Sequence, residues 1–354
     1  MSRFFSSALQ GIEPYVPGEQ PKDQQYIKLN TNESPYPPAP TVMEAIDREA
    51  VSSLRLYSDP TAATLIDALA DTYGVPTSSV FVGNGSDEVL AFAFHAFGEN
   101  GFTAPALSYG FYPVFAAFFG IPFTPCPMKA DLSIDMETLA KTERGSIVIA
   151  NPNAQTGLYI TPSEIEVLAI KAPGVLIVDE AYIDFGGESA IPLTKKYDNL
   201  LIVGTFSKSR NLAGARVGYA IGCAELIDDL NRLKFSFNPY NLNRLSILAA
   251  TATLRDPDYF RDCTKRIICT REKTKKELIA LGFAVTDSRA NFLLARPPFM
   301  HGRDLYLALR ERGILVRYLG DPHIPDYIRI TIGSEEEMAA FLTATKQILE
   351  EKQS

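Results

Sequence analysis

Cysteine and histidine are scarce in this chain of 354 residues, which has four cysteines and three histidines. The cysteines form no CxxC pair and show no spacing to histidine that is typical of a zinc site. A chain of this length also does not depend on a disulfide framework. We therefore expect a cytoplasmic protein with no metal site, whose cysteines are reduced and mostly buried: Cys126, Cys223, Cys263 and Cys269.

Basic residues are outnumbered by acidic ones, 34 against 42, which gives a net charge of −8. Nucleic-acid binding requires a basic face that neutralises many phosphates. The charge balance therefore argues against a nucleic acid as the partner.

Long apolar runs are absent as well. The N-terminal segment MSRFFSSALQGIEPY has only a short apolar stretch, too short for a signal peptide or a membrane span. The apolar residues 89–97 include His95 and stop at Gly98, which predicts a core helix. We expect no association with membranes.

The chain does contain a regular alternation of apolar runs and helical patterns. Hydrophobic residues make up 46% and charged residues 21%, which is typical of a folded enzyme. The runs are continuous, as in strands that are buried on both faces of a sheet. Helical patterns at 61–73 and from Ser86 separate them, so an α/β domain with a mostly parallel sheet is predicted. The runs are residues 80–82, 147–150, 175–178, 200–203 and 217–221.

The C-terminal third has a different pattern. Asp256 and Pro257 are typical of a helix N-terminus, and the long charged helix they begin is predicted to end at Gly282. Strand-like segments follow at 291–295, 314–317 and 327–332, with a closing helix from Ser334. We expect an N-terminal arm (1–40) that joins a small α+β domain (256–354), and a large domain (41–255) between them.

Two segments place a reactive side chain at the end of a predicted strand or just after it. In GTFSKS, Lys208 follows a buried strand among hydroxyl groups, with Arg216 eight residues on, so a Schiff base beside an anion site is one interpretation. A surface loop with an ordinary lysine is the other. Asp179 ends the strand of VLIVDEAY, where α/β sheets bind their ligands, but a helix cap or a metal ligand stays open.

Three polar loops are the remaining candidate binding segments. In VGNGSDE, a strand enters a glycine turn and then a helix that begins near Ser86, as in phosphate sites at helix N-termini, although a plain structural turn is the commoner explanation. The loops NPNAQTG (151–157) and LNTNESPY (29–36) are rich in residues that simply favour turns.

Together and in this order, the segments resemble fold type I enzymes that use pyridoxal phosphate, and within them the histidinol-phosphate aminotransferase family. LNTNESPYPP is similar to that family's LNxNENPYGP, and VDEAYIDF and TFSKSRNLAGARVGY are close to its aspartate and lysine motifs. The resemblance covers essentially the full chain.

The resemblance implies the roles of the cofactor site. Lys208 would form the Schiff base and then act as acid and base, Asp179 would hold the pyridine nitrogen, and Tyr182 the phenolic oxygen. Tyr109 matches the aromatic residue that stacks on the ring, although it is also explained as a core tyrosine. Tyr57 matches a tyrosine that reaches the cofactor of the neighbouring subunit, so a homodimer is implied. The residues expected around the cofactor phosphate are Gly85, Ser86, Asp87, Thr205, Ser207 and Arg216.

The resemblance also implies a substrate site. Arg329 matches the arginine that binds the substrate carboxylate, a task suited to a planar guanidinium. Arg317 matches a residue that meets the distal phosphate of histidinol-phosphate. Further substrate-side positions are Tyr15, Asn32 and Asn291.

One position departs from the family. Its PNNPTG places an asparagine beside the phenolic oxygen, but this chain has Ala154 there, followed by Gln155. Asn153 lies one place earlier, and we expect its amide to reach the ring after a modest loop adjustment.

The expected activity is amino transfer between histidinol-phosphate and 2-oxoglutarate in histidine biosynthesis. The alternatives are an aromatic or other amino-acid aminotransferase, or a phospho-amino-acid decarboxylase of the same fold. A ligand-binding protein of this fold without catalysis is a further alternative, which Lys208 and Asp179 argue against.

Overall fold

The described part of the chain, residues 4–9 and 11–353 of a computed structural model, alternates strands and helices as expected. The strands are β1 Ile27–Lys28, β2 Val80–Gly83, β3 Phe102–Pro105, β4 Phe123–Cys126, β5 Ser146–Ala150, β6 Leu176–Asp179, β7 Leu200–Thr205, β8 Gly218–Ile221, β9 Ala284–Val285, β10 Phe292–Arg296, β11 Ile314–Leu315, β12 Arg317–Tyr318 and β13 Ile328–Thr331. The α-helices are α1 Pro40–Ala45, α2 Arg48–Ser52, α3 Ala63–Tyr73, α4 Gly85–Phe97, α5 Phe111–Phe119, α6 Met136–Leu139, α7 Pro162–Lys171, α8 Ala224–Phe237, α9 Arg244–Leu254, α10 Pro257–Ala280, α11 Gly302–Glu311 and α12 Glu335–Gln353.

A seven-stranded sheet forms the centre of the molecule, in the order β2-β8-β7-β6-β5-β3-β4. All five predicted runs are strands of this sheet, which confirms the α/β class. β8 is antiparallel to both of its neighbours, and the strands from β7 to β4 are parallel. The sheet is therefore mostly parallel, as predicted.

Burial on both faces explains why the strands are continuously apolar. Along β5, Ile147 and Ile149 belong to one buried cluster, whereas Val148 and Ala150 belong to another. Successive side chains of a strand point to opposite faces, so each face must supply its own core. Helices such as α4 and α7 cover these faces.

The parallel register brings the ends of three strands together. Ala150 of β5 pairs with Asp179 of β6, and Asp179 pairs with Val203 of β7. The loops that follow these strands therefore leave the same edge of the sheet, and they carry Asn153, Tyr182 and Lys208.

The helix-end predictions are confirmed to within two residues. The Asp256 carboxylate accepts a hydrogen bond from the Tyr259 N–H at 3.2 Å and caps α10, and Gly282 follows the helix with a φ of 87°. The helix predicted to begin near Ser86 begins at Gly85.

The N-terminal arm contributes a strand that pairs with the C-terminal third of the chain. β1 pairs in parallel with β11, and the Thr331 N–H donates to the Leu29 carbonyl at 3.0 Å. A second sheet, β12-β13-β10-β9, is antiparallel throughout. The arm and the C-terminal third are thus joined by hydrogen bonds on both sides of Leu29.

Two further findings concern cysteine and membranes. Cys126 and Cys263 are buried, but Cys223 is partly exposed and Cys269 is exposed, so the expectation of mostly buried cysteines was wrong for half of them.

Across residues 4–9 and 11–353, no helix combines the length and the apolar character that crossing a bilayer requires.

Gly218 provides a test of how closely β8 approaches α4. A Cβ atom there would overlap the backbone of Gly85 and Ser86, whereas a Cβ at Gly214 would meet no heavy atom within 4 Å. Gly218→Ala should lower the free energy of unfolding by about 1–3 kcal/mol, because neither backbone segment has room to move. Gly214→Ala is the control and should stay within about 0.5 kcal/mol of the wild type. Urea unfolding measures both, and equal stabilities would show that the contact is not tight.

Candidate functional site

A cavity of about 410 Å³ lies at the carboxyl edge of the large sheet. Both the arm and the small domain contribute to its walls. The sequence-predicted site residues that line it are Tyr15, Asn32, Tyr109, Tyr182, Lys208, Arg317 and Arg329.

Asp179 ends β6 with its side chain almost completely buried, at 5% exposure. Its Oδ2 accepts a hydrogen bond from the Tyr112 hydroxyl at 3.0 Å, and its Oδ1 accepts one from the Ala181 N–H at 3.1 Å. Burial raises the pKa of Asp179 to about 6, and these two hydrogen bonds oppose that rise. Asp179 is therefore mostly ionised at neutral pH. Sequence analysis missed Tyr112, since it lies in a segment where many residues are aromatic.

Lys208 extends into the cavity from the loop after β7. Its Nζ donates to the Thr31 carbonyl at 3.2 Å and lies 5.8 Å from the centre of the Tyr182 ring. Tyr182 in turn accepts a hydrogen bond from the Asn32 amide at 3.0 Å. The predicted amine and phenol are therefore brought together.

Three of the residues predicted to surround the cofactor phosphate, Gly85, Asp87 and Arg216, meet at the start of α4. Arg216 and Gly85 both adopt left-handed backbone conformations, with φ of 53° and 79°, and a Cβ atom at Gly85 would overlap the Arg216 guanidinium. Arg216 donates to the Asp87 carboxylate at 3.0 Å, and so does the Tyr109 hydroxyl at 2.7 Å. Asp87 thus holds two side chains of the site, while the first N–H groups of α4 point toward an incoming anion.

Thr205 ends β7, and Ser207 lies between it and Lys208. Both are buried, and the Ser207 N–H donates to the Thr205 hydroxyl at 3.1 Å. Through this hydrogen bond, Thr205 stabilises the conformation of the loop that carries Ser207 and Lys208.

The arrangement fits pyridoxal phosphate. A helix N-terminus, Arg216 and Ser207 form the donor set that a phosphate requires. A buried carboxylate, Asp179, is suited to a pyridine N–H, and Lys208 supplies the primary amine.

The loop after β5 has a different role from the one predicted for Asn153. Its amide nitrogen donates to the Leu107 carbonyl at 2.8 Å, and its oxygen accepts from the backbone N–H groups of Gln155 and Thr156 at 2.9 and 3.0 Å. Turning this side chain toward a cofactor would break all three hydrogen bonds. In the structure Asn153 holds the loop, and its contact with the ring stays a prediction.

Arg329 faces the cavity without an acidic partner among the residues that the structure describes. One terminal nitrogen donates to the Ala154 carbonyl and to the Gln155 side-chain oxygen, both at 2.9 Å. Its Nε is buried and has no hydrogen-bond partner. Burial lowers the pKa of Arg329, so an anion bound there would be strongly favoured.

Arg317 is the cross-strand partner of Arg329 in the pairing of β12 with β13, and it also lines the cavity. Its two terminal nitrogens donate to the carbonyls of Val16 and Pro17 at 3.0 and 3.2 Å. It therefore fastens the arm, including Tyr15, whose ring centre lies 4.3 Å from that of Phe111.

Ten of the predicted site residues are not among those that line the cavity, and Tyr57 and Asn291 are two of them. Tyr57 is 79% exposed and stacks on Tyr240 with 4.5 Å between ring centres. Asn291 is fully buried, and its amide donates to the Asn32 carbonyl at 3.0 Å. Asn291 thus acts on the arm rather than at the cavity surface.

Glu180 is a second residue that sequence analysis missed. It is 4% exposed, and its carboxyl group contacts the Ser189 hydroxyl at 2.5 Å and the Ala190 N–H at 2.7 Å. Burial raises the pKa of Glu180 to about 8, so it is mostly protonated at neutral pH. The end of β6 therefore carries a single negative charge, on Asp179.

Comparison with known proteins gives a consistent family. Residues 24–344 match the model of the class I and II aminotransferases. The chain is 49% identical to a histidinol-phosphate aminotransferase of Brachyspira hyodysenteriae and 47% identical to one of Clostridium acetobutylicum, over 99% of this chain and at least 99% of each relative. A crystal structure of the Sinorhizobium meliloti histidinol-phosphate aminotransferase in complex with pyridoxal-5'-phosphate is 25% identical, with a TM-score of 0.90 over 99% of both chains.

Glu180 predicts a pH dependence of stability. Its folded-state pKa is raised, so the folded protein binds more protons than the unfolded chain between about pH 4.5 and 8, and the free energy of unfolding falls as pH rises through that window. Glu180→Gln should flatten this fall, because glutamine keeps the contacts with Ser189 and Ala190 without titrating. Urea unfolding of the cofactor-free protein across the window measures it, with the exposed Glu188→Gln as control. Parallel stability curves for Glu180→Gln and the wild type would contradict the assignment.

Proposed function

The chain belongs to the class I and II aminotransferases and, within them, to the histidinol-phosphate aminotransferase family, and we propose that it transfers the amino group between histidinol-phosphate and 2-oxoglutarate. The products are imidazole acetol-phosphate and glutamate, and the pathway is histidine biosynthesis. The observation that carries the proposal is the pair of arginines, Arg317 and Arg329, in a cavity that also holds Lys208.

The two arginines suit the two substrates. Glutamate and 2-oxoglutarate present carboxylates, and a buried guanidinium with an unpaired Nε offers a planar donor edge to such a group. Histidinol-phosphate presents a phosphate dianion instead. We assign the carboxylate to Arg329 and the phosphate to Arg317, with Tyr15 and Asn32 as neighbouring substrate-side residues.

Pyridoxal phosphate, when bound, stores the amino group between the two half-reactions and withdraws electrons from the substrate carbon that loses its proton. Lys208 would take this proton as general base and return it as general acid. Asp179, buried and held by the Tyr112 hydroxyl, would accept the pyridine N–H. Tyr182 would donate to the phenolic oxygen, and Tyr109 would pack against the ring.

The phosphate end anchors the cofactor. The N-terminus of α4 at Gly85, Ser86 and Asp87, together with Ser207 and Arg216, supplies donors and positive charge. These groups would hold the phosphate of the cofactor in place.

A homodimer and a cytoplasmic location complete the proposal. Tyr57 would reach the cofactor phosphate of the neighbouring subunit, which fits its exposure and its position outside the cavity of its own chain. The four free cysteines fit a reducing compartment.

Lys208→Ala tests the chemistry. Turnover should be abolished, because no other amine lies in the cavity to move the proton, whereas the phosphate and pyridine contacts should still retain pyridoxal phosphate. Steady-state assays and cofactor stoichiometry measure the two effects. Turnover near that of the wild type would rule the assignment out.

Arg317→Ala tests the substrate. The kcat/KM for histidinol-phosphate should fall by about 10- to 150-fold, which corresponds to the loss of one charge-assisted hydrogen bond, while that for phenylalanine should change little. Arg303→Ala, at an exposed position of α11, is the matched control. Equal losses on both substrates would assign Arg317 to the scaffold of the arm instead.

A further inference from the structure

Asn32 is held in an unusual position for a substrate-side residue. It is 1% exposed and adopts a left-handed conformation, with a φ of 55°. Asparagine tolerates this conformation better than most residues other than glycine. The backbone carbonyl of Asn32 accepts a hydrogen bond from the Asn291 amide at 3.0 Å. The backbone and the side chain of Asn32 are therefore each held in one arrangement.

Thr331 determines which way the Asn32 amide faces. The Asn32 N–H donates to the Thr331 hydroxyl oxygen at 2.9 Å, and the Thr331 hydroxyl lies 3.0 Å from the Asn32 Oδ1. Because this hydroxyl already accepts the N–H, its single proton is free to donate to Oδ1. The amide nitrogen must then face Tyr182, to whose oxygen it donates at 3.0 Å.

This contact fixes the direction of the Tyr182 proton. A phenol has one proton, and since its oxygen accepts from Asn32, that proton points away from the arm. Phe292 packs edge-on against the Tyr182 ring, with 5.2 Å between centres, and restrains it. The charged and titratable groups that face Tyr182 are Lys208, Arg329, Tyr109 and Tyr112.

Resting on the proposed function, we propose that Asn32 is a positioning residue that directs the Tyr182 hydroxyl proton to the phenolic oxygen of the cofactor. The chain has Ala154 where an amide would otherwise reach that oxygen. The buried Asn153 side chain is held by hydrogen bonds with Leu107, Gln155 and Thr156. Tyr182 is thus the remaining donor on this side, and Asn32 sets its strength. Because Thr331 belongs to β13, the small domain takes part in this control.

The test is a pH titration of the visible absorbance of the holoenzyme without substrate. Its midpoint reports the proton on the nitrogen that joins the cofactor to Lys208. A donor to the phenolic oxygen stabilises the deprotonated form and lowers this midpoint. Asn32→Ala should raise it by roughly half to one pH unit, which corresponds to one hydrogen bond.

Two further variants separate this role from simple loss of structure. Asn32→Asp has the same shape and tolerates the same backbone conformation, but it only accepts, so the Tyr182 proton turns to it and the midpoint should rise further than in Asn32→Ala. Thr331→Val removes the hydroxyl group that orients the Asn32 amide, and the titration midpoint should rise less than in Asn32→Ala. Cofactor stoichiometry and thermal unfolding show whether each variant is folded.

The decisive comparison uses Tyr182→Phe as background. With no phenol to direct, Asn32→Ala should produce no additional shift there. Equal shifts in both backgrounds, or no shift in Asn32→Ala and Asn32→Asp, would overturn the inference. If the enzyme turns over histidinol-phosphate but these shifts are absent, the inferred role of Asn32 is wrong and the proposed function stands. If the shifts are present without such turnover, the proposed substrate is wrong and the role of Asn32 is supported.

Discussion

The common register of β5, β6 and β7 is the constraint on which the site depends. Parallel strands paired from Ala150 to Asp179 to Val203 end at one edge. Asp179 at the end of β6 and the loops that carry Tyr182 and Lys208 therefore share that edge, with the Lys208 Nζ 5.8 Å from the centre of the Tyr182 ring. Hydrophobic burial on both faces holds that register, because a slip by one residue would exchange the side chains of the two cores.

The features that could be predicted from the sequence depend only on residues that are close together along the chain. Continuous apolar runs indicate buried strands, and the motifs around Asp179 and Lys208 lie directly at their ends. β3 and β4 were not found, because each is four residues long and contains proline, and β4 lies at the edge of the sheet with mixed burial. Such strands depend on pairing with a neighbour rather than on their own pattern.

The parts of the site that sequence did not reveal arise from contacts between distant segments. The hydrogen bond from Tyr112 to Asp179 spans 67 positions, and that from Asn32 to Tyr182 spans 150. Glu180 looks like any acidic residue in a motif until its burial shows that it is neutral. Asn153 is expected at the ring because of its place in the motif, whereas in the structure it makes hydrogen bonds with its own loop and with Leu107, 46 positions away.

The pairing of β1 with β11 has a consequence for the order of assembly during synthesis. The arm leaves the ribosome first, but its partners on β11 and β13 follow almost a whole chain later, with 299 positions between Asn32 and Thr331. The large sheet can fold as its strands emerge, since domains fold largely as units from the N-terminus. The arm then waits, and closing so long a loop is the slow, late step. The nascent chain can therefore form the seven-stranded sheet before the arm pairs with β11 and contacts β13, which complete the walls of the cavity.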